Sequence, residues 1–405
     1  MNLRFTDDGL SAHAPGVPRL NADLYSDAAL TDSTELFAQI RDAGPVVWLP
    51  RHRMYAMGRF DDVRAALRDD QTLLSGGGVA ANPVANRLGR DTTLSSDHES
   101  HMRRRRVLMR SLGAKAIAGI EDRLEQEART TVGRLGNGAW FDAAPDFASP
   151  LPVKVVSDLV GVSGGSEQML RWAAATFDGL GPINRRAVRQ MRHSLGLLWF
   201  TRRLRPSAVA AGSWAASVFQ AAAEGELTNQ EARALVVDFI APALDTTILA
   251  STHLLRVLSE HPDAWQQVRE DPSLIPAAVV ENVRLASPIR GFTRTIAADT
   301  QVGGVDLRAG DRVALLFGAA NLDETRFPDP GRFDLHRPGN AHVGWGNGPH
   351  TCVGIHLAKL EMKTLLGQMA PVVARIETGP PTRLRNNTLQ GISAMRARFV
   401  TAPST

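Results

Sequence analysis

A single cysteine, Cys352, in a chain of 405 residues constrains what this chain can fold into more than any other feature. One thiol excludes an internal disulfide framework and any multi-thiolate metal centre. It fits a reducing, cytoplasmic setting. Stability must then come from a buried core, and 43% apolar residues supply one. The surroundings of the cysteine narrow the choice further. Trp345-Gly346-Asn347-Gly348-Pro349-His350-Thr351-Cys352-Val353-Gly354 places three glycines and a proline in ten residues, which makes a tight loop with exposed backbone. A helix is expected directly after it, with Val353, Leu357, Leu360 and Leu365 near one face. A helix N-terminus offers free N–H groups and the positive end of a dipole. A thiol placed there loses its proton more readily, and the thiolate is a metal ligand. Gly348 and Gly354 leave room for a flat macrocycle against the backbone. The plain alternative is a buried structural cysteine at a helix start.

The remaining composition excludes several classes. With 46 basic and 42 acidic residues the formal charge is +4, too mild to make nucleic acid a default partner. Lysine occurs only at Lys115, Lys154, Lys359 and Lys363, so nearly all positive charge is arginine, spread along the whole chain. Residues 1–20 carry charged groups and prolines without an apolar core, so no signal peptide is read. No run of 18 uninterrupted apolar residues marks a membrane span, and no internal repeat is present.

Along the chain, 35–42 and 61–69 read as short helices around a hairpin of 46–49 with 54–57. Residues 73–97, rich in Gly, Ser, Asn and Thr, read as a long functional loop. From 101 to 204 the pattern is helical, with breaks near Gly136, 150–152, 161–165 and 181–182, and a stop at Pro206. Thr228 with Glu231 forms the signature of a capping box, opening a long helix to about 259 that His261-Pro262 ends. Another helix covers 274–286. Strand-like alternation follows over 294–317, an irregular stretch over 320–351, a helix after Cys352 that ends before Pro371, and short strands over 372–401. The expectation is one mainly α domain over 1–405, helix-rich at roughly 100–290, with a smaller β part.

The cysteine loop resembles the haem-binding loop of the cytochromes P450, Phe-Gly-x-Gly-x-His-x-Cys-x-Gly. Gly346, Gly348, His350, Cys352 and Gly354 match, as does Ala358 in the following helix. Trp345 stands where the family has Phe, and its indole N–H is expected to alter the basicity of the sulfur. The resemblance implies the P450 fold, a large helical part with a smaller β-rich part, and haem b held by Cys352 as iron ligand. Ala243-Leu244-Asp245-Thr246-Thr247 resembles the family's oxygen-activation motif, with Ala243 replacing Gly and with Asp245 and Thr246 as acid and alcohol. Pro242 before it should kink the helix and free a carbonyl. His101 and Arg105, four apart, resemble the pair that binds haem propionates; Arg294 and His350 resemble further propionate ligands, and arginine can meet carboxylates bidentately. The run 103–106 also reads as a solvated basic face. Glu281 and Arg284, at i,i+3 on one helix face, resemble two members of a structural ion-pair triad, with Arg332 as the third and Arg337 as the runner-up.

The family's chemistry implies reductive O2 activation and insertion of one oxygen atom into a small-to-medium hydrophobic substrate, by hydroxylation or O-dealkylation. No flavin or iron–sulfur module is readable, so electrons are expected from a separate ferredoxin and its reductase. Arg103, Arg104, Arg106, Lys359 and Lys363 are candidates for their docking patch. Val79, Phe239, Ala243, Ile289, Phe292 and Ile392 are expected to contact substrate and are apolar. Arg290 reads either as a carboxylate anchor or as a surface salt bridge. Asp238, eight residues before Thr246, reads either as a contact to a basic or hydroxylated substrate or as a structural hydrogen bond. Two other functions compete: a non-oxygenating haem-binding protein, which Asp245-Thr246 argues against, and a peroxide-driven haem enzyme, whose relatives carry Arg-Pro at that point.

Overall fold

A computed structural model describes residues 14–162, 165–339 and 341–401. Most of the N-terminal stretch read for a leader, and part of the break at 161–165, lie outside the described residues. The chain builds its larger core around the helix Asn229–Glu260. This 32-residue helix starts with a reciprocal capping box: Thr228 Oγ1 accepts the Glu231 N–H at 3.1 Å, and Glu231 Oε2 accepts the Thr228 N–H at 2.8 Å. It stops at His261, and Pro262 opens the next helix, Pro262–Glu270, at the position where a missing N–H costs nothing. Pro242 sits inside the long helix, yet the helix continues through it. Proline has no N–H to give, so the Asp238 carbonyl loses its usual partner there. This helix is also the one described helix long and apolar enough to span a bilayer, and 61% of its most apolar window is buried within the protein.

Helices Ser166–Leu180, Arg185–Arg203, Trp214–Ala223, Ile275–Ala286 and Ile355–Met369 pack around it or against one another. A smaller core backs a five-stranded sheet ordered Val47–Leu49, Met54–Met57, Arg312–Leu315, Phe292–Ile296, Leu73–Leu74. The first two strands form the expected hairpin, and Met54–Met57 runs parallel to Arg312–Leu315. The C-terminal strand Arg396–Thr401 lies between Val373–Thr378 and Phe141–Asp142 and pairs with both. The architecture is mainly α with a minor β part, as read from the sequence.

One expectation changes. Residues 73–97 are not one loop: they hold strand Leu73–Leu74 and helix Pro83–Gly89. Asn82 caps that helix by accepting the Ala85 N–H at 2.9 Å, and Pro83 occupies its first turn. The polar composition hid a cap and a helix start rather than a loop. The break expected at 150–152 is present: the helical turn Ala143–Ala148 ends at Ser149, and Pro150 opens the next helix, Pro150–Val155.

Candidate active site

The cysteine loop is shaped by two left-handed glycines, Gly346 at φ 72° and Gly348 at φ 71°. A Cβ at residue 348 would lie 2.7 Å from the Leu67 carbonyl oxygen and 2.9 Å from Arg68 Cα. Gly348 therefore seats the loop against the end of helix Phe60–Arg68, rather than making room for a macrocycle. Gly354 does leave room: the only atom within 4 Å of a Cβ there would be Cys352 Sγ, at 3.9 Å. The Cys352 N–H closes the loop onto the Trp345 carbonyl at 2.8 Å, and Gly354 caps helix Ile355–Met369. Burial pushes the Cys352 thiol above its ordinary pKa; the Gly354 N–H and Arg105 pull it down without prevailing. The helix start alone does not ionise this thiol, contrary to the expectation from sequence, whereas a coordinated metal ion would.

Cys352 faces a cavity of about 1060 Å³, at the upper end of ligand-site sizes. Two arginines and two histidines are among its lining residues: His101, Arg105, Arg294 and His350. The rings of His101 and His350 lie 4.0 Å apart between centroids, and His101 Nε2 is buried without a hydrogen-bond partner. Burial drives the His101 pKa down to about 4 and that of His350 down to about 2, and neighbouring cations push both further the same way. Burial lowers Arg294 to about 10 and also lowers Arg105. Arg294 donates to the Thr293 carbonyl at 2.9 Å; among the described residues neither arginine has a carboxylate partner. Arginines placed this way require anions to neutralise them. A flat, iron-bearing macrocycle with carboxylate side arms would fit: Cys352 as the metal's ligand, open space at Gly354, and Arg105 and Arg294 for the carboxylates.

The long helix also lines the cavity, through Ala241, Pro242, Ala243, Thr246 and Thr247. Thr246 Oγ1 donates to the Pro242 carbonyl at 2.8 Å. Asp245 is not among the cavity's lining residues. Its Oδ2 is buried without a partner, and burial, then Asp178, raise its pKa to about 7. Phe239, Ile289 and Phe292 also line the cavity.

Several sequence readings are corrected here. Val79 and Ile392 are fully buried and do not line the cavity; the Val79 carbonyl accepts the Thr293 N–H, and Ile392 belongs to the main core. Arg290 is neither an anchor nor a surface ion pair. It is buried and donates to the carbonyls of Leu24 at 2.9 Å and Ala29 at 3.1 Å. Asp238 lines the cavity and also makes the structural hydrogen bond: Oδ2 accepts the Thr93 N–H at 2.9 Å, and burial raises its pKa to about 6. In the ion-pair triad Arg332 gives way to Arg337. Arg284 binds Glu281 through two contacts of 2.8 Å, and Arg337 Nε reaches Glu281 Oε1 at 2.9 Å. Arg332 contributes its carbonyl oxygen, which accepts from both arginines. The docking patch shrinks as well. Arg104 is buried against Glu231 and holds the carbonyls of Arg90 and Thr92, and Arg103 shares Glu231. Arg106 and Lys363 are exposed, and Lys359 Nζ stacks 4.8 Å over the Trp345 ring. That ring also packs on His342, and among the described residues its indole N–H donates to no protein group.

Sequence reasoning missed the cavity mouth. Val84 and Leu88 on one side, and Ile183, Val188, Met191 and Leu195 on the other, line it and are largely exposed. Helical spacing of 188, 191 and 195 was the available signal, obscured by the arginines between. The turn after helix Ser166–Leu180 is held by polar contacts. Asn82 donates to the carbonyls of Gly179 at 2.8 Å and Gly181 at 2.6 Å, and the Asn387 N–H donates to Asp178 Oδ1 at 2.8 Å.

A thiol facing a cavity that Arg105 and Arg294 also line, with Thr246 of the long helix lining it and Asp245 beside it in sequence, is the constellation of a haem-thiolate protein. Comparison with known proteins agrees. The cytochrome P450 family model matches residues 213–370. Cytochrome P450 CYP199A2 of Rhodopseudomonas palustris is 32% identical over 401 residues, covering 97% of this chain and 97% of that one. Linalool 8-monooxygenase of Pseudomonas putida is 29% identical over 412 residues, covering 94% and 98%. The structure of Mycobacterium marinum CYP268A2 in complex with pseudoionone superposes with a TM-score of 0.84 at 28% identity, covering 95% of this chain and 100% of that one. This chain belongs to the cytochrome P450 family. It is a monooxygenase of that family, using haem, O2, a hydrophobic substrate and redox partners.

Proposed function

We propose that the enzyme holds haem b through Cys352 and inserts one oxygen atom into a small-to-medium hydrophobic substrate, by hydroxylation or O-dealkylation. Its electrons come from a separate ferredoxin and reductase, in the cytoplasm, the compartment that keeps a lone thiol reduced. The haem supplies the reductive cleavage of O2 that no side chain provides. Everything else falls to the chain. His101, Arg105, Arg294 and His350 bind the propionates, and Cys352 gives the thiolate. Phe239, Ala243, Ile289 and Phe292 exclude water and orient an apolar substrate. Thr246 Oγ1, resting on the Pro242 carbonyl, can turn its hydroxyl into the cavity. Burial raises the pKa of Asp245 to about 7, well above an ordinary carboxyl, which suits it to give and regain a proton near neutral pH. The relatives named for linalool and solved with pseudoionone favour a terpenoid-sized substrate.

The observation that carries this reading is the thiol of Cys352 in a large cavity whose two arginines, Arg105 and Arg294, make no ion pair with a carboxylate among the described residues. The test is a ferrous–carbon monoxide spectrum of the wild type and of Cys352→Ser. Loss of the thiolate band in the variant supports the reading; an unaltered band overturns it. NADH-driven product with a ferredoxin system, compared with peroxide alone, then separates this function from a peroxide-driven one.

A further inference from the structure

The arginines run along the whole chain, but the acids that would balance them do not. Between Gly179 and Ala223 lie seven arginines and no aspartate, glutamate or lysine. The chain as a whole is +4, so this stretch of 45 residues carries +7 and the other 360 carry −3. Most of the stretch is helix Arg185–Arg203. Among the described residues only Arg186 of the seven takes part in an ion pair, with Asp27, and the other six are exposed. The same helix carries an exposed apolar stripe. Val188, Met191, Leu195 and Trp199 recur every three or four residues and so share one side. Arg185, Arg192 and Arg203, spaced by whole turns, run along the edge of that stripe. The Arg203 guanidinium stacks 4.2 Å over the Trp199 ring. Helix Pro83–Gly89, which also lines the cavity, repeats the arrangement: exposed Val84, Arg87 and Leu88 lie three and four positions apart. Ten large apolar side chains are exposed among the described residues; six of them line the cavity mouth, and Trp199 continues their stripe. Exposed apolar residues scattered singly are ordinary, whereas a concentration at one opening marks an interaction surface.

We propose that this face docks on an anionic lipid bilayer, with the arginines of helix Arg185–Arg203 at the lipid phosphates and its apolar stripe toward the acyl chains. An apolar stripe edged by arginines, with no acid among them, matches a surface that is apolar within and anionic at its face. An acidic protein would satisfy the arginines alone; a bilayer satisfies the arginines and the stripe together. The attachment is peripheral, because a helix with six arginines in 19 residues lies along a membrane and does not cross it. The rest of the chain, at −3, is repelled by an anionic surface, which turns the mouth toward the lipid. The cavity then opens to lipid instead of water, and an apolar substrate dissolved in the bilayer enters without being hydrated on the way.

Sedimentation of the haem-loaded enzyme with lipid vesicles tests this without turnover, so its result stands apart from the monooxygenase reading. The wild type should bind vesicles of phosphatidylcholine mixed with phosphatidylglycerol, should not bind phosphatidylcholine alone, and should be released as salt rises. An arginine at an anionic bilayer is worth about fivefold in affinity, so Arg185→Gln with Arg192→Gln and Arg203→Gln should weaken binding on the order of a hundredfold. A control that removes the same charge from exposed residues outside the cavity lining, Arg53→Gln with Arg129→Gln and Arg308→Gln, should bind as the wild type does. Brominated acyl chains should quench the tryptophan emission of the wild type. Trp199→Phe keeps an apolar ring, so it should still bind and should lose most of that quenching. An unchanged ferrous–carbon monoxide band verifies that each variant is folded. Failure to bind anionic vesicles, equal binding to neutral ones, equal losses in the two triple variants, or emission that lipid does not quench overturns the proposal. A first triple variant that is reduced more slowly by ferredoxin but binds vesicles undiminished assigns the face to an acidic protein and overturns it too.

Discussion

Asp238 shows how a single side chain can serve both site and scaffold. Eight residues before Thr246, it lines the cavity, and its carboxylate accepts the Thr93 N–H and ties the segment after helix Pro83–Gly89 to the long helix. Its pKa is raised from 3.8 to about 6 in the folded protein. Its stabilising contribution is therefore complete below 3.8 and is lost as pH rises through about 6. Asp238→Asn keeps an acceptor and removes the titration. Calorimetry should show the variant losing about 2–3 kcal/mol less than wild type between pH 4 and pH 8. Thr246→Ala should leave substrate binding intact and divert most NADH consumption from product to peroxide or water, measured by product per NADH; unchanged coupling would remove Thr246 from proton handling. The residues that were legible in sequence are those whose chemistry is local: Cys352, His350 and the glycines lie within ten positions. Arg290 was not legible because its partners, Leu24 and Ala29, are 266 and 261 positions away.

Elements carry the structural ion pairs. Glu281 and Arg284 are both fully buried, and Arg337 closes the group from the irregular stretch before the cysteine loop. Arg337→Ala strips a hydrogen-bonded cation from a buried carboxylate and should cost roughly 3–5 kcal/mol in urea unfolding. Arg332→Ala leaves its backbone carbonyl in place and should change stability by no more than about 0.5 kcal/mol. Equal effects would refute the assignment. Helix ends were readable wherever a side chain announced them, as Thr228 and Glu231 did. Asn82-Pro83 announced one too, inside a stretch whose Gly and Ser content masked it. The choice between Arg332 and Arg337 was not readable, since both precede the same loop and only the path of the backbone decides which guanidinium reaches Glu281.

At the scale of the whole molecule, two surfaces matter: the side bearing Arg106 and Lys363, and the apolar mouth of the cavity. With Arg104 buried, the first surface holds fewer free cations than the sequence suggested. Arg106→Glu with Lys363→Glu should slow reduction by an acidic donor at low salt, and the difference should shrink as ionic strength rises, in stopped-flow measurements. A rate that is the same at every salt concentration would place the donor elsewhere. The fold class was visible from periodicity, but the mouth was not, because exposure of an apolar helix face is decided by what fails to pack on it.

The asparagine contacts around Gly181 have a mechanical consequence. Helix Arg185–Arg203 begins where Asn82, Asn184 and Asn387 rivet the preceding turn, and its other end is held by the burial of Leu197 and Thr201 and by Phe200 against the Trp172 ring. A rod of nineteen residues, about 28 Å long and pinned at both ends, has its play in the middle. Val188, Met191 and Leu195 line the cavity from that middle stretch, so a cross-link there should bar bulky molecules while one near Asn184 should leave passage unchanged.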